Sequence, residues 1–334
     1  ETPASITPVS IISNNDNTAL AKVGDTVTVS FTTSEILIDT TATILGQNAK
    51  ITGLGSNQFK AVYSMDEGDT EGVIAFEISF IDVQGNPLVG TSATTDGSQV
   101  TFDKTKPTLD PVTITSDNSC SAGAIAKAEN IVTINFTSLE PLLSTFSIVM
   151  GDTVSVIDLG SSQYKIDHQL AAEDVEGDVT FLIRVTDLSG NISEDIITTT
   201  DGSSVDLDLT LPILDYVHIE SNNSYSSIAV LGDIVTLTFE PSEPLSVTTV
   251  IMSGDSVTAT ENNGVYSATY TIQNSDMVTG GYLSFAIDLT DCPGNVGLTD
   301  STTSDESFVS IDVGPPEMVS VKIFSSNKDS SWSK

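Results

Sequence analysis

Carboxylates recur at fixed places along this chain, and their spacing decides what they could do. Asp82 and Asn86 close "FEISFIDVQGN" (76–86), Asp187 and Asn191 close "FLIRVTDLSGN" (181–191), and Asp291 and Asn295 close "FAIDLTDCPGN" (285–295). A glutamate ends a second recurring stretch: Glu35 in "TVSFTTSE" (28–35), Glu140 in "TINFTSLE" (133–140) and Glu243 in "TLTFEPSE" (236–243). Asp103 and Asp208 stand in "VTFDKTKPTL" (100–109) and "VDLDLTLPIL" (205–214), while the looser "VSIDVGPPEM" (309–318) weakens the same role for Asp312. Glu71 and Glu176 end the acid-rich runs "DEGDTEG" (66–72) and "AEDVEG" (172–177). Crowded carboxylates repel and remain ionised together only around a cation. Ca2+ accepts many oxygen ligands in flexible geometry, whereas Mg2+ demands a tighter octahedron. Charge-rich loops are often merely solvated, but recurrence at the same places in every copy argues for Ca2+.

Other chemistries find little support. The chain has 46 acidic against 11 basic residues, a net charge of −35 and one arginine, Arg184. Such a surface repels phosphate backbones and anionic headgroups, which argues against nucleic acid and membrane surfaces as partners. No apolar run reaches the ~18 residues of a membrane-spanning helix. His168 takes the place of Tyr63 and Tyr270 and reads as a half-buried core substitute. His218 reads as solvent-facing, without a carboxylate partner. No nucleophile–base pair, phosphate-cradling loop or zinc spacing is present, so the chain is expected not to be an enzyme.

The elements that position the acids are strands. Val27, Val29 and Phe31 alternate with polar residues, as do Val132, Ile134 and Phe136, and Val235, Leu237 and Phe239. Ile74, Phe76, Ile78 and Phe80 do the same, matched by Val179, Phe181, Ile183 and Val185. Period-two alternation marks a strand with one face on a core. No helical spacing is sustained, and turn signals separate about seven strands per copy, the pattern of a Greek-key β-sandwich. The copies predict an all-β array of Ig-like repeats at 1–107, 108–212 and 213–316. The ending "VSVKIFSSNKDSSWSK" (319–334) falls without a gap on "TPVSIISNNDNTALAK" (7–22). Residues 317–334 are therefore expected to open a fourth repeat, and the chain to be part of a longer protein.

The D-x-x-G-N strand end, the D-x-T-x-P linker and the opening "AKVGDTVTVSFTTSE" resemble the Ig-like repeats of large bacterial surface adhesins. That resemblance implies an elongated, extracellular, cell-surface rod, a structural stalk of adhesion proteins often stiffened by Ca2+ at its joints. Its partners would be neighbouring repeats of the same parent protein.

In a sandwich of this topology the B–C and F–G loops share the N-terminal end, where the linker aspartate also enters. Three acids from distant sequence thus converge at each joint, with the E–F loop of the preceding repeat below them. Cys120, in the A–B loop of the second repeat, and Cys292, in the F–G loop of the third, face one joint and are expected to form a disulfide. Sequons occur at Asn135, Asn191 and Asn222. Asn135 lies inside a strand and Asn191 is needed for a turn, so Asn222 is the glycosylation candidate, with plain turn use the commoner role. Two functions remain open: a stalk spacer of an adhesin, or a subunit of an extracellular filament, sheath or surface hair that contacts copies of itself.

Overall fold

The computed structural model describes residues 4–279, 281–314 and 318–324. The chain divides into two compact units, residues 1–208 and 209–334. Strands dominate both. The described residues contain only a four-residue α-helical turn at Asp276–Thr279 and a 3-10 turn at Cys120–Gly123.

In the first unit, Ile6–Ser13, Thr26–Thr33, Gln58–Ser64 and Lys50–Gly55 form one antiparallel sheet in that order, and Pro87–Thr91, Phe76–Asp82, Leu37–Ile44 and Gln47–Asn48 form another. The buried side chains between them include Val9, Val27, Val29, Phe31, Ile44, Ile78 and Phe80. The alternation in Thr26–Thr33 is complete, every second residue being buried. The same arrangement recurs within this unit, as Leu109–Ser116, Ile131–Ser138, Gln163–Gln169 and Ile157–Gly160 beside Asp152–Val154, Leu142–Val149 and Phe181–Asp187.

The second unit repeats it once more. Leu214–Ser221, Ile234–Pro241, Val265–Thr271 and Ala259–Asn262 form one sheet; Asp255–Val257, Leu245–Met252 and Phe285–Asp291 form the other. One aromatic pair stacks across the same two strands in each copy: Phe31–Phe59 at 5.4 Å, Phe136–Tyr164 at 5.2 Å and Phe239–Tyr266 at 5.3 Å between ring centroids. Such cross-strand pairs fix register as well as filling the core.

There are more strands than the seven per copy expected. The first strand of each copy breaks, and its short continuation joins a separate three-stranded sheet. Leu20–Ala21 pairs in parallel with Thr101–Phe102, which also pairs antiparallel with Gly72–Val73. Ile125–Ala126 with Asp206–Leu207, and Ile228–Ala229 with Ser310–Ile311, do likewise. The outer edge of the first strand is closed by hydroxyls. Thr95 Oγ1 accepts from the Val9 amide and Ser98 Oγ from the Ile11 amide, both at 2.9 Å. Thr200 and Ser203 treat Val112 and Ile114 the same way, as Ser304 and Ser307 treat Val217 and Ile219. Amides that would otherwise invite a foreign strand are thereby capped.

Of the expected opening strand of a fourth repeat, only residues 318–324 are described. They pair with no strand among the described residues, and Val319, Val321 and Ile323 are exposed. The rest of 317–334 lies outside the described residues. No described helix is long and apolar enough to cross a membrane.

Candidate metal centre

Three acids of the first unit meet where the first copy of the fold passes into the second. Asp103 follows Thr101–Phe102, and its amide is held by the Ala21 carbonyl at 2.9 Å. Glu140 follows Ile131–Ser138; its carbonyl accepts from Ser138 Oγ at 2.6 Å. Asp187 ends Phe181–Asp187 and is buried, 1% exposed. One carboxylate oxygen from each lies within 4.8 Å of the others.

The Asp-x-x-Gly-Asn turn explains how Asp187 can be buried. Its Oδ1 accepts from the Asn191 amide and its Oδ2 from Asn191 Nδ2, each at 2.8 Å. Gly190 adopts φ +86, a left-handed conformation that suits glycine. Asn191 Nδ2 also donates to the Asp103 carbonyl at 3.1 Å, so this side chain spans the two copies and orients two of the acids.

The electrostatics are unfavourable without a counter-charge. Burial pushes the Asp103 carboxyl up, opposed by the Thr105 amide and reinforced by the charges of Asp187 and Glu71. Burial likewise raises Glu140, and the charges of Asp187, Asp103 and Glu71 add to it. Glu71 behaves differently: the amides of Lys104 and Thr105 and the Thr105 hydroxyl donate to its Oε1 at 2.7–2.8 Å and hold it below the usual carboxylate range. Glu71 is thus a clamp on the linker as well as a charge beside the cluster. An oxygen-only, part-buried set of three carboxylates fits a hard divalent cation, with Asp103, Glu140 and Asp187 to hold it.

Basic and amide groups brace the same joint. Lys22 Nζ donates to the Gly190 carbonyl at 2.7 Å and Asn15 Nδ2 to the Ser189 carbonyl at 2.9 Å. Lys104 Nζ donates to the carbonyls of Glu67 at 2.6 Å and Asp69 at 3.0 Å, and Lys106 pairs with Glu194. Sequence reasoning passed over these lysines, although Lys104 and Lys106 stand in the linker "DKTKP".

The remaining expected residues fall as follows. Asp82, fully buried, takes the place of Asp187 in the first copy. Burial pushes it up, but the Asn86 side chain and the amides of Asn86, Gln84 and Gly85 outweigh that and hold it low. Among the described residues, Asp82 and Glu35 join no cluster of three acids. Asp208 is anchored on the Ala126 carbonyl as Asp103 is on Ala21, Asp312 is anchored the same way on Ala229, and Glu176 is exposed. In the second unit, Asp291 is fully buried and accepts from Asn295 N and Nδ2, while Glu243 follows Ile234–Pro241. Cys120 is buried at the start of its 3-10 turn, and Cys292 lies in the turn after Phe285–Asp291. Asn222 is exposed, and its Oδ1 accepts from the Ile234 amide at 2.9 Å, as Asn14 does for Thr26.

The two histidines divide. His168 is half-buried, as expected. His218 lies on the face away from the core, between buried Val217 and Ile219, as expected, but the reading that it lacks a carboxylate partner is corrected: Nδ1 lies 2.6 Å from Asp305 Oδ2. That contact spans 87 residues of sequence, which no local pattern reveals.

No protein-family model matches the sequence, and no curated protein does. Solved structures do. One, from a 1.5-MDa bacterial ice-binding adhesin retained at the host cell surface, aligns with a TM-score of 0.51 at 15% identity over 94% of this chain and 100% of its own. Another, a Ca2+-stabilised adhesin that helps an Antarctic bacterium reach out and bind ice, gives 0.50 at 17% identity over 92% and 75%. The chain shares the fold of these two bacterial adhesin structures. The copies here are tandem Ig-like β-sandwiches, as the alternation and turn spacing predict.

Proposed function

We propose that this chain is a non-catalytic spacer of an extracellular, cell-surface adhesin, and that Ca2+ held by Asp103, Glu140 and Asp187 stiffens the joint between its first two repeats. The observation that carries this reading is the meeting of those three carboxylates, two of them pushed up by burial and by their neighbours. Bound Ca2+ supplies the positive charge that lets all three remain ionised. The chain's own contribution is to bring a linker, a B–C loop and an F–G loop to one point. Each acid comes from a different segment, so holding all three with one ion fixes the linker against the second repeat. The Ca2+-stabilised adhesin of the same fold supports the choice of ion.

Calcium titration calorimetry with a parallel melting series tests the proposal. Binding to the native state alone stabilises by about 2.7 kcal/mol at 100-fold excess over Kd. Wild type should give binding heat and a raised melting temperature, and Asp187→Asn should lose most of both. Absence of heat in the wild type rules the proposal out.

A further inference from the structure

We infer that Asn263 is a site of spontaneous deamidation, with the Glu261 carboxylate accepting the proton that starts it. Asn263–Gly264 is the only Asn-Gly step in the chain. It forms the tip of the hairpin that joins Ala259–Asn262 to Val265–Thr271, where Asn262 pairs with Val265. Both tip residues are left-handed, Asn263 at φ 53° and Gly264 at φ 83°, the two-residue turn that Asn-Gly favours. The equivalent tips of the other repeats are Ser56–Asn57 and Ser161–Ser162, with the same left-handed backbone. Only in the third repeat does a glycine follow the asparagine.

Three features of the tip suit the reaction. Gly264 has no side chain to shield its nitrogen, and a Cβ placed there would meet nothing within 4 Å. Residues 261–264 are all exposed, so water has access. Glu261 Oε1 accepts from the Gly264 amide at 2.6 Å, which puts a base on the nitrogen that must lose its proton. The carboxamides of Asn118 and Asn223, each followed by serine, are instead tied to Asn130 and Asp233 at 2.8 Å.

The step balances without a co-reactant other than water. The Gly264 nitrogen gives its proton to Glu261 and bonds to Asn263 Cγ, closing a succinimide. The Cγ–Nδ2 bond breaks, and the nitrogen leaves as ammonia carrying the relayed proton. Water then opens the ring at either carbonyl, giving aspartate or isoaspartate. The product adds a carboxylate to a tip that shares a 520 Å³ cleft with Glu243, Leu245 and Tyr266. The isoaspartyl form also lengthens the main chain by one carbon at its tightest bend.

The test is to hold the intact chain in warm neutral buffer and follow its peptides by mass spectrometry, with an isoaspartyl methyltransferase assay alongside. Aspartate and isoaspartate should accumulate at 263 while the peptides containing Asn118 and Asn223 stay intact. Glu261→Gln, checked as folded by circular dichroism, should slow the gain at 263, and Gly264→Ala should abolish it. The inference is overturned if Asn263 survives as long as Asn118 and Asn223, or if Glu261→Gln leaves its rate unchanged. Neither result depends on calcium.

Discussion

Lys22 Nζ in the first repeat lies 2.7 Å from the carbonyl oxygen of Gly190 in the second. The approach is close enough that a Cβ on Gly190 would meet that ammonium at 3.3 Å. A charged donor thus joins the A–B side of one sandwich to the F–G turn of the next. This brace and the acid cluster are separate devices acting on one joint.

Lys22→Met should therefore weaken the joint without removing a cation ligand. A hydrogen bond from a charged group contributes about 1.5–3 kcal/mol, with the lower end expected at a half-exposed site. Urea unfolding of the variant should show that loss, while calcium still produces binding heat. Loss of calcium binding in Lys22→Met would merge the two devices into one.

The acid cluster should show a stability change that reverses sign with calcium. Without a cation, Asp103 and Glu140 are held above ordinary carboxylate values, mainly by burial. The native chain then binds more protons there than the unfolded chain, so their contribution to stability falls as pH rises from the ordinary carboxylate range toward neutrality. Glu140→Gln removes one of these charges. In chelator at neutral pH it should melt higher than wild type, with the difference vanishing in acid; in excess calcium it should melt lower. Calorimetry at two pH values, with and without calcium, reads both signs.

Protease access gives a local view of the same joint. The Lys104–Thr105 bond is a trypsin site, since proline follows Lys106. The amides of Lys104 and Thr105 are held by Glu71, and the Lys104 ammonium by two carbonyls. Cleavage after Lys104 should be slow in calcium and faster in chelator, and Glu71→Ala should speed it in both. Equal rates in calcium and in chelator, for wild type and Glu71→Ala alike, would contradict a clamped linker.

His168 marks a weak point in the second repeat. Tyr63 OH donates to Asp69 at 3.0 Å and Tyr270 OH to Asp276 at 2.9 Å, pinning the E–F segment. At the same position His168 Nε2 is buried without a hydrogen-bond partner among the described residues. Asp174 stands where Asp69 and Asp276 do, its Oδ2 accepting from the Ala171 amide as theirs accept from the amides of Asp66 and Gln273. His168→Tyr should supply the missing bond to Asp174 and stabilise the chain by about 1 kcal/mol in urea unfolding.

Much of this was readable from the sequence for a physical reason. Burial on one face of a strand imposes period two, so Val27, Val29 and Phe31 announced both a strand and its inward face. The acids were legible because each copy repeats them at the same strand ends. What stayed hidden depends on approach between segments far apart in the chain. Nothing in the local sequence marks Thr95 and Ser98, yet their hydroxyls close the edge of a strand more than 80 residues earlier. The recurrence of Asn191 beside Asp187 is plain in the sequence, but that its amide nitrogen also reaches the Asp103 carbonyl is not.

The side-by-side pairing of Leu20–Ala21 with Thr101–Phe102 bears on how a repeat responds to tension. These short strands lie close to opposite ends of one sandwich's sequence and run in the same direction, so opposed pulls at its two ends slide them past each other. Their hydrogen bonds must then fail together in shear rather than peel apart one at a time. Single-molecule stretching should show each sandwich yielding in one abrupt step, and Ala21→Pro, which deletes a donor from that pairing, should lower the force at which the first one gives way.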